Sequence, residues 1–289
     1  MTGILLVDKP QDWTSHDVVA KLRGVTGERR IGHSGTLDPM ATGLLVVFLG
    51  RATRAVEFAE ADEKTYIAEI LLGTTTDTQD TQGSVLARSE EIPGREELEK
   101  ALRRFRGEIE QIPPMYSAVK IGGKKLYELA RKGVEVERKA RRITITGLDL
   151  LSGEGDRWTL RVRCSKGTYI RTLCHDIGQA LGCGACMSAL RRMSAGAFSV
   201  EQAHTLSEII NSADPAAFML PVDSLFKDRP SYTVPSEALR AVYNGNAAPA
   251  PGLQDGEYRV YGPDGEFLLL GRAERNELGT VKSFFEPRG

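Results

Sequence analysis

Gly32-His33-Ser34-Gly35-Thr36-Leu37-Asp38-Pro39-Met40-Ala41-Thr42-Gly43 packs three glycines, a proline and one carboxylate into twelve residues. Glycine admits positive φ, and Pro39 pushes Asp38 out of the helical region, so the backbone is bent to a fixed shape with Asp38 displayed at its apex. The run Leu44-Leu45-Val46-Val47-Phe48-Leu49 that follows is apolar without a break and reads as a buried strand beneath the loop. A carboxylate held on a rigid loop beside a buried strand is a candidate catalytic group. Asp-Pro is also a common helix start, with Asp as N-cap and Pro at the first helical position, and at this stage that alternative stays open.

Working outward toward the N-terminus, residues 2 to 8 read as a short strand and Asp8 to Ser15 as a turn that ends in a helix cap. Ser15 would be the N-cap, Val18, Val19 and Leu22 the buried face, and Gly24 the stop. Arg29 and Arg30 lead into the central loop, either as phosphate contacts or as ordinary surface arginines. On the other side, Gly50 to Arg54 opens a short helix, and Tyr66, Ala68, Ile70 and Leu72 fall on one face of a strand. Gly73 to Gly83 lacks the spacing of a calcium loop and reads as a polar connection. Residues 95 to 106 form an amphipathic helix with Leu98, Leu102 and Phe105 inward.

From Trp158 the chain alternates as a half-buried strand, after which Thr168 can cap a helix whose apolar stripe is Ile170, Leu173, Cys174, Ile177 and Leu181. Arg171 falls in the first turn of that helix, off the stripe. A cation there is mildly opposed by the helix dipole, so it calls for an anion: a substrate phosphate, a surface glutamate or Asp38. After Pro221-Val222-Asp223 and the polar Lys227 to Pro230, the chain changes to short strands with many glycines and prolines.

The chain has 289 residues, enough for one large domain and a small one, and its 41% hydrophobic and 27% charged content is ordinary for a globular protein. A formal net charge of -1 does not announce a nucleic-acid binder. Residues 120 to 142, however, carry nine lysines and arginines against three glutamates, a local excess that suits either a phosphate backbone or a solvated face. The apolar start Ile4 to Val7 is too short for a signal peptide, and no stretch approaches a membrane span, so a cytoplasmic location is expected. Cys164, Cys174, Cys183 and Cys186 are too few for a disulfide framework, and the Cys183–Cys186 pair lacks a second half, so reduced thiols and no metal site are expected. No Walker loop, zinc-protease helix or dinucleotide fingerprint is present.

Taken whole, Gly32 to Gly43 resembles the catalytic loop of the bacterial TruB-type tRNA pseudouridine-55 synthases. Asp8-Lys9-Pro10 through Ser15 resembles another segment of that family, with Asp12 where glycine is usual; aspartate tolerates positive φ better than most residues, so a local adjustment is expected. Lys64-Thr65-Tyr66 with Leu72-Gly73, Cys164 to Arg171, and Leu190-Arg191-Arg192 with Gly196-Ala197-Phe198 resemble the remaining active-site motifs. The resemblance implies that Asp38 is the essential catalytic residue, that Arg171 pairs with it and that Tyr66 stacks on the target uracil. It also implies that Leu190 packs near the base, where the alternative is a routine core leucine. His33 would fill the gap left by the flipped base, and Lys9 and Tyr169 would contact the substrate. Residues from about 111 to 139 resemble the family's RNA-gripping insertion, with Lys124 and Lys125 as substrate-binding groups.

For the fold, the resemblance implies an α/β (α+β) catalytic domain over residues 1–228. Its central sheet would be mixed and largely antiparallel, with flanking helices. A small PUA-like RNA-binding β-barrel would follow over residues 229–289. The implied activity is isomerisation of uridine 55 in the T arm of tRNA by base flipping, with no cofactor, no membrane and no obligate protein partner, in a monomer.

Overall fold

The structure, a computed structural model, describes residues 1–60, 63–117, 119–130 and 132–285, with the side chains of residues 120, 121, 124 and 125 outside that description. From the N-terminus the elements run β1 (Gly3–Lys9), α1 (Ser15–Thr26), β2 (Ile31–Ser34), β3 (Thr42–Leu49), α2 (Val56–Glu60), β4 (Lys64–Leu72), β5 (Thr74–Thr76), β6 (Val85–Arg88), α3 (Arg95–Leu102) and β7 (Gly107–Gln111). They continue with β8 (Lys120–Ile121), β9 (Lys124–Lys125), α4 (Leu126–Ala130), β10 (Arg141–Glu154), β11 (Arg157–Cys164), α5 (Ile170–Leu181), β12 (Ala185–Ala195), β13 (Phe198–Ser199), β14 (His204–Thr205) and α6 (Leu206–Asn211). The last are β15 (Ser231–Thr233), α7 (Leu239–Tyr243), β16 (Ala248–Pro249), β17 (Gly256–Tyr261), β18 (Phe267–Glu274) and β19 (Glu277–Ser283).

Ten strands form the main sheet in the order β14-β1-β3-β12-β4-β11-β10-β7, with β2 on β3 and β13 on β12. Only the β1–β14 and β3–β12 pairs of this sheet are parallel among the described residues, so it is mixed and largely antiparallel. The apolar run of β3 is unbroken because both of its faces are covered. Leu44, Val46 and Phe48 face one cluster with Ala52 and Phe198, while Leu45, Val47 and Leu49 face α1 through Val18 and Leu22. The strand β4 alternates instead, sending Tyr66, Ala68, Ile70 and Leu72 into a core shared with Leu160 and Val162 of β11 and with Ile170, Leu173 and Ile177 of α5.

Four helix boundaries, in three helices, differ from those read in the sequence. Thr14, not Ser15, caps α1, in a reciprocal box with Asp17, and Gly27 at φ 67° ends the helix one turn beyond Gly24. The Ser15 hydroxyl is buried and spent on Leu37, donating to its carbonyl at 3.2 Å and accepting from its amide at 2.9 Å. Helix α3 stops at Leu102 and tightens into a short 3-10 turn over Arg103–Phe105. Tyr169, not Thr168, occupies the N-cap of α5 and gives it no side-chain cap; the Thr168 hydroxyl donates back to Ser165 O.

The second sheet runs β15-β17-β18-β19-β16 around Val234, Val242, Val260, Leu268 and Leu278. Among the described residues the strands β15 and β16 are its edges, so the sheet is a curled half-barrel in place of the closed barrel expected. Phe226 joins the two sheets, with ring centroids 5.4 Å from Phe58, 6.3 Å from Phe267 and 6.0 Å from Phe284. The Tyr261 hydroxyl adds a 2.6 Å bond to Asp223.

The register places Lys9 opposite Gly43, and Gly43 beside Arg192 on the far side of β3. Gly43 has φ +96°, and a Cβ there would lie 2.3 Å from Arg192 O. Gly43→Ala should therefore lower the unfolding free energy by about 3 kcal/mol or more, since backbone cannot yield as a side-chain tip can. Denaturant titration checks this, and an unchanged midpoint would contradict the close approach.

Candidate active site

Asp38 stands on the loop between β2 and β3, and bonds from three directions fix that loop. Ser15 holds Leu37 on the α1 side. The turn before α1 docks on Pro39, whose carbonyl accepts from the Asp12 amide at 2.8 Å and from Lys9 Nζ at 3.2 Å. Asp12, which stands where the resemblance implies glycine, has φ 64° and so occupies the left-handed region. Below the loop, Arg192 donates to Gly35 O at 3.0 Å and to Leu44 O at 2.6 Å, joining the two ends of the segment that carries Asp38.

Arg171 meets Asp38 in a two-pronged pair, Nε to Oδ2 at 2.8 Å and Nη2 to Oδ1 at 3.1 Å. Of the three anions that its position called for, the carboxylate on the central loop is the one it finds. Two further donors go to Thr78 O at 3.0 Å and Tyr116 O at 2.8 Å, and Asp80 Oδ2 lies 3.7 Å from Nε. The arginine side chain is 6% exposed and the Asp38 side chain 35%, so the guanidinium is enclosed while the carboxylate still reaches the surface. Paired bonds of this kind fix direction as well as charge.

The start of α5 needs its own support because Tyr169 supplies no cap. Gln111, buried at the end of β7, accepts from Tyr169 N at 2.9 Å and donates to Tyr169 O at 3.0 Å. Thr172 donates to Gln79 at 2.8 Å. The segment read as a polar connection thus contributes Thr78, Gln79 and Asp80 to the arginine's surroundings. Nothing in its run of threonines and aspartates distinguishes these roles from ordinary turn formation. In the sequence Gln111 stands only at the start of the stretch that resembles the RNA-gripping insertion.

Tyr66 and Leu190 are buried beside the loop, in one cluster with Leu37, Met40 and Ala41. Burial pushes the Tyr66 phenol up, and the adjacent Arg192 guanidinium offsets part of that. Tyr169 is half-buried at the head of α5. His33 on β2 packs edge-on against His16, with centroids 5.7 Å apart, and its Nδ1 is buried without a hydrogen-bond partner. Loss of solvent pushes the His33 imidazole down to about 4, with His16 and Arg192 adding to the shift.

Lys9 departs from its expected place among substrate contacts. Its side chain has no exposed surface, and Nζ donates to the carbonyls of Pro10 at 2.9 Å, Trp13 at 2.6 Å and Pro39 at 3.2 Å. It is a strut under the Asp38 loop. Burial lowers its ammonium to about 8, against the pull of Asp12 and Asp38. Arg29 and Arg30 sit at the Gly50 end of β3, away from Gly43, where the Gly50 amide donates to Arg30 O. Lys124 and Lys125 form the short strand β9, and their side chains lie outside the described residues. All four cysteines are buried and free, and no group of three or more metal-ligating side chains occurs among the described residues. Among those residues no helix is long and apolar enough to cross a membrane.

Residues 23–170 match the TruB family pseudouridylate synthase N-terminal domain, and residues 171–227 match the tRNA pseudouridylate synthase B C-terminal domain. The chain belongs to the TruB family. It is 45% identical over 288 residues to the tRNA pseudouridine synthase B of Syntrophomonas wolfei, covering 97% of this chain and 96% of that one. It is 40% identical over 289 residues to the protein of the same name from Clostridium kluyveri, covering 98% and 100%. Among solved structures it resembles a chain of a Cbf5–Nop10–Gar1 complex, with a TM-score of 0.75 and 28% identity over 99% of this chain and 85% of that one. A chain of an H/ACA RNP bound to a substrate RNA containing 2′-deoxyuridine gives 0.74 and 26%, over 99% and 86%. The two TruB segments are not separate folding units here. The second supplies β12, which the main sheet places between β3 and β4 of the first.

Asp12→Gly should stabilise the protein by a few tenths to about 1 kcal/mol, because glycine accepts the left-handed conformation without a Cβ penalty. Thermal melting checks the sign, and a loss would mean that the Asp12 carboxylate holds the turn by itself. The unfolded chain binds a proton at His33 near 6.5 and the folded chain only near 4, so stability should fall as pH drops from about 6.5 to about 4. His33→Gln should flatten that slope in denaturant titrations across the same range.

Proposed function

We propose that this TruB-family protein isomerises uridine 55 in the T loop of tRNA to pseudouridine, with Asp38 as the catalytic carboxylate. The observation that carries this is the two-pronged Asp38–Arg171 pair, enclosed on the arginine side and open on the carboxylate side. The reaction breaks the bond between C1′ and N1, turns the freed base and rejoins it through C5. Substrate and product are isomers, so the chemistry consumes no oxidant, reductant or group donor and asks no cofactor of the chain.

Asp38 can serve by adding to C1′, by adding to the base or by taking the C2′ proton, and each route needs a carboxylate aimed at the sugar and base. Arg171 aims it. Tyr66 stacks on the uracil, a contact worth about 1 to 3 kcal/mol per base, and Leu190 packs beside it. The base must first leave its loop, and neutral His33 suits the role of filling the space behind it, since an uncharged imidazole stacks on bases at little desolvation cost. Tyr169 contacts the substrate at the head of α5.

Residues 1–228 act as the catalytic domain, with the insertion at about 111–139 gripping RNA through Lys124 and Lys125. Residues 229–289 act as a PUA-like RNA-binding unit. The chain works in the cytoplasm as a monomer, with tRNA as its partner and no obligate protein subunit.

Base-resolved pseudouridine mapping on an unmodified tRNA transcript tests the activity, and failure to modify that uridine would overturn it. Asp38→Asn keeps the loop's shape and should abolish conversion while leaving tRNA affinity within a few fold, since affinity comes mainly from phosphates and shape. Arg171→Ala should slow turnover by orders of magnitude, and the double variant should lose little more, because groups acting as one unit cannot be lost twice. An active Asn variant would reduce Asp38 to a turn cap.

A further inference from the structure

Arg192 heads the fully buried side chains in size, and no part of it reaches solvent. Two of its donors are used on Gly35 O and Leu44 O. Its third nitrogen, Nη1, is buried without a well-formed hydrogen bond, the Tyr66 hydroxyl lies beside the guanidinium, and no carboxylate stands within ion-pair distance of it among the described residues. A full positive charge is therefore enclosed without an ion-pair partner among the described residues. Burying such a charge is costly, and an apolar side chain of similar length would pack in its place without that cost.

The charge sits beside Tyr66, on the same face of the sheet. Arg192 on β12 is paired in register with Tyr66 on β4, and a Cβ added at Gly35 would lie 3.2 Å from Nη1. Three groups around the pocket respond to it. It disfavours the ammonium of Lys9 and the imidazolium of His33, and it favours the ionised form of Tyr66. At Tyr66 this charge offsets part of the penalty that burial places on an anion.

We propose that Arg192 is a positioning residue whose charge, beside Tyr66 and without an ion-pair partner, favours the uracil anion formed when the C1′–N1 bond breaks. In that step both electrons of the bond leave with the base and spread over N1, O2 and O4. C5 then bonds to C1′, the C5 proton departs and N1 gains one, so that no net charge or atom is lost. The guanidinium touches neither sugar nor base. It acts through a low-dielectric interior, where fixed charge placed in advance is most effective. The assignment rests on the isomerase activity proposed above.

The test compares uridine with 5-fluorouridine at the target position of the tRNA. Fluorine withdraws electrons and stabilises the departing base by itself, so a lost protein charge matters less. Arg192→Met should slow single-turnover conversion of uridine by about 10- to 100-fold, but consumption of 5-fluorouridine by only a few fold, with tRNA affinity within about threefold. Should Arg192→Met fail to fold by thermal melting, Arg192→Gln, neutral but still able to donate to one carbonyl, carries the same comparison. Arg192→Lys keeps the charge and should slow the two substrates to the same extent. Equal slowing of both substrates by the neutral variants would overturn the assignment and leave Arg192 as a staple for the loop. If the parent protein forms no pseudouridine from uridine, the proposed activity itself fails, which is a separate result.

Discussion

The Arg171 guanidinium can be buried only if its donors find acceptors together, and those acceptors come from three distant parts of the chain. Asp38 arrives on the loop before β3, Thr78 O on the connection after β5, and Tyr116 O on the segment after β7. An enclosed arginine that lost one of them would keep an unmet donor in a place water does not reach, which costs about 1 to 3 kcal/mol. The pair therefore does more than orient a carboxylate. It makes the correct arrangement of three loops a condition of stability, so the site is assembled as the fold is.

The same economy appears under the loop. Lys9 and Arg192 are long cationic side chains with no exposed surface, one from each of the strands that flank β3, and both end on backbone carbonyls of the Asp38 segment. Carbonyls of a bent, glycine-rich loop have no sheet partners, and donors that reach in from neighbouring strands satisfy them. The loop can then hold a non-repetitive shape without exposing its backbone.

Much of the fold was legible because periodicity and burial agree. The unbroken run of β3, the alternation of β4 and β11 and the stripe of α5 each appear in the structure as the pattern implies. At Asp12 the backbone takes φ 64°, a conformation that aspartate tolerates better than most residues, in keeping with the local adjustment expected there. The misses share one cause. Ser15, Thr168 and Lys9 each carry a polar group with two plausible uses, one local and one distant, and sequence separation hides the distant one. Ser15 could cap its own helix or bind Leu37 on the loop, and Lys9 could meet a substrate or the carbonyl of Pro39. The curled second sheet shows a related limit, because strand spacing announces short strands but not whether the first and last of them pair.

Gln111 and Tyr116 stand at the root of the basic segment that runs on to β10. One clamps both backbone groups of Tyr169, and the other accepts from Arg171. The part of the chain that carries the cationic excess is thus wired by hydrogen bonds to the head of α5 and to the charge pair. Thermodynamic linkage makes such wiring run in both directions: whatever steadies the segment steadies the pair, by the same free energy with which an intact pair steadies the segment. A ligand that grips the segment from outside therefore also tightens the seat of Asp38, and grip and aim become one equilibrium.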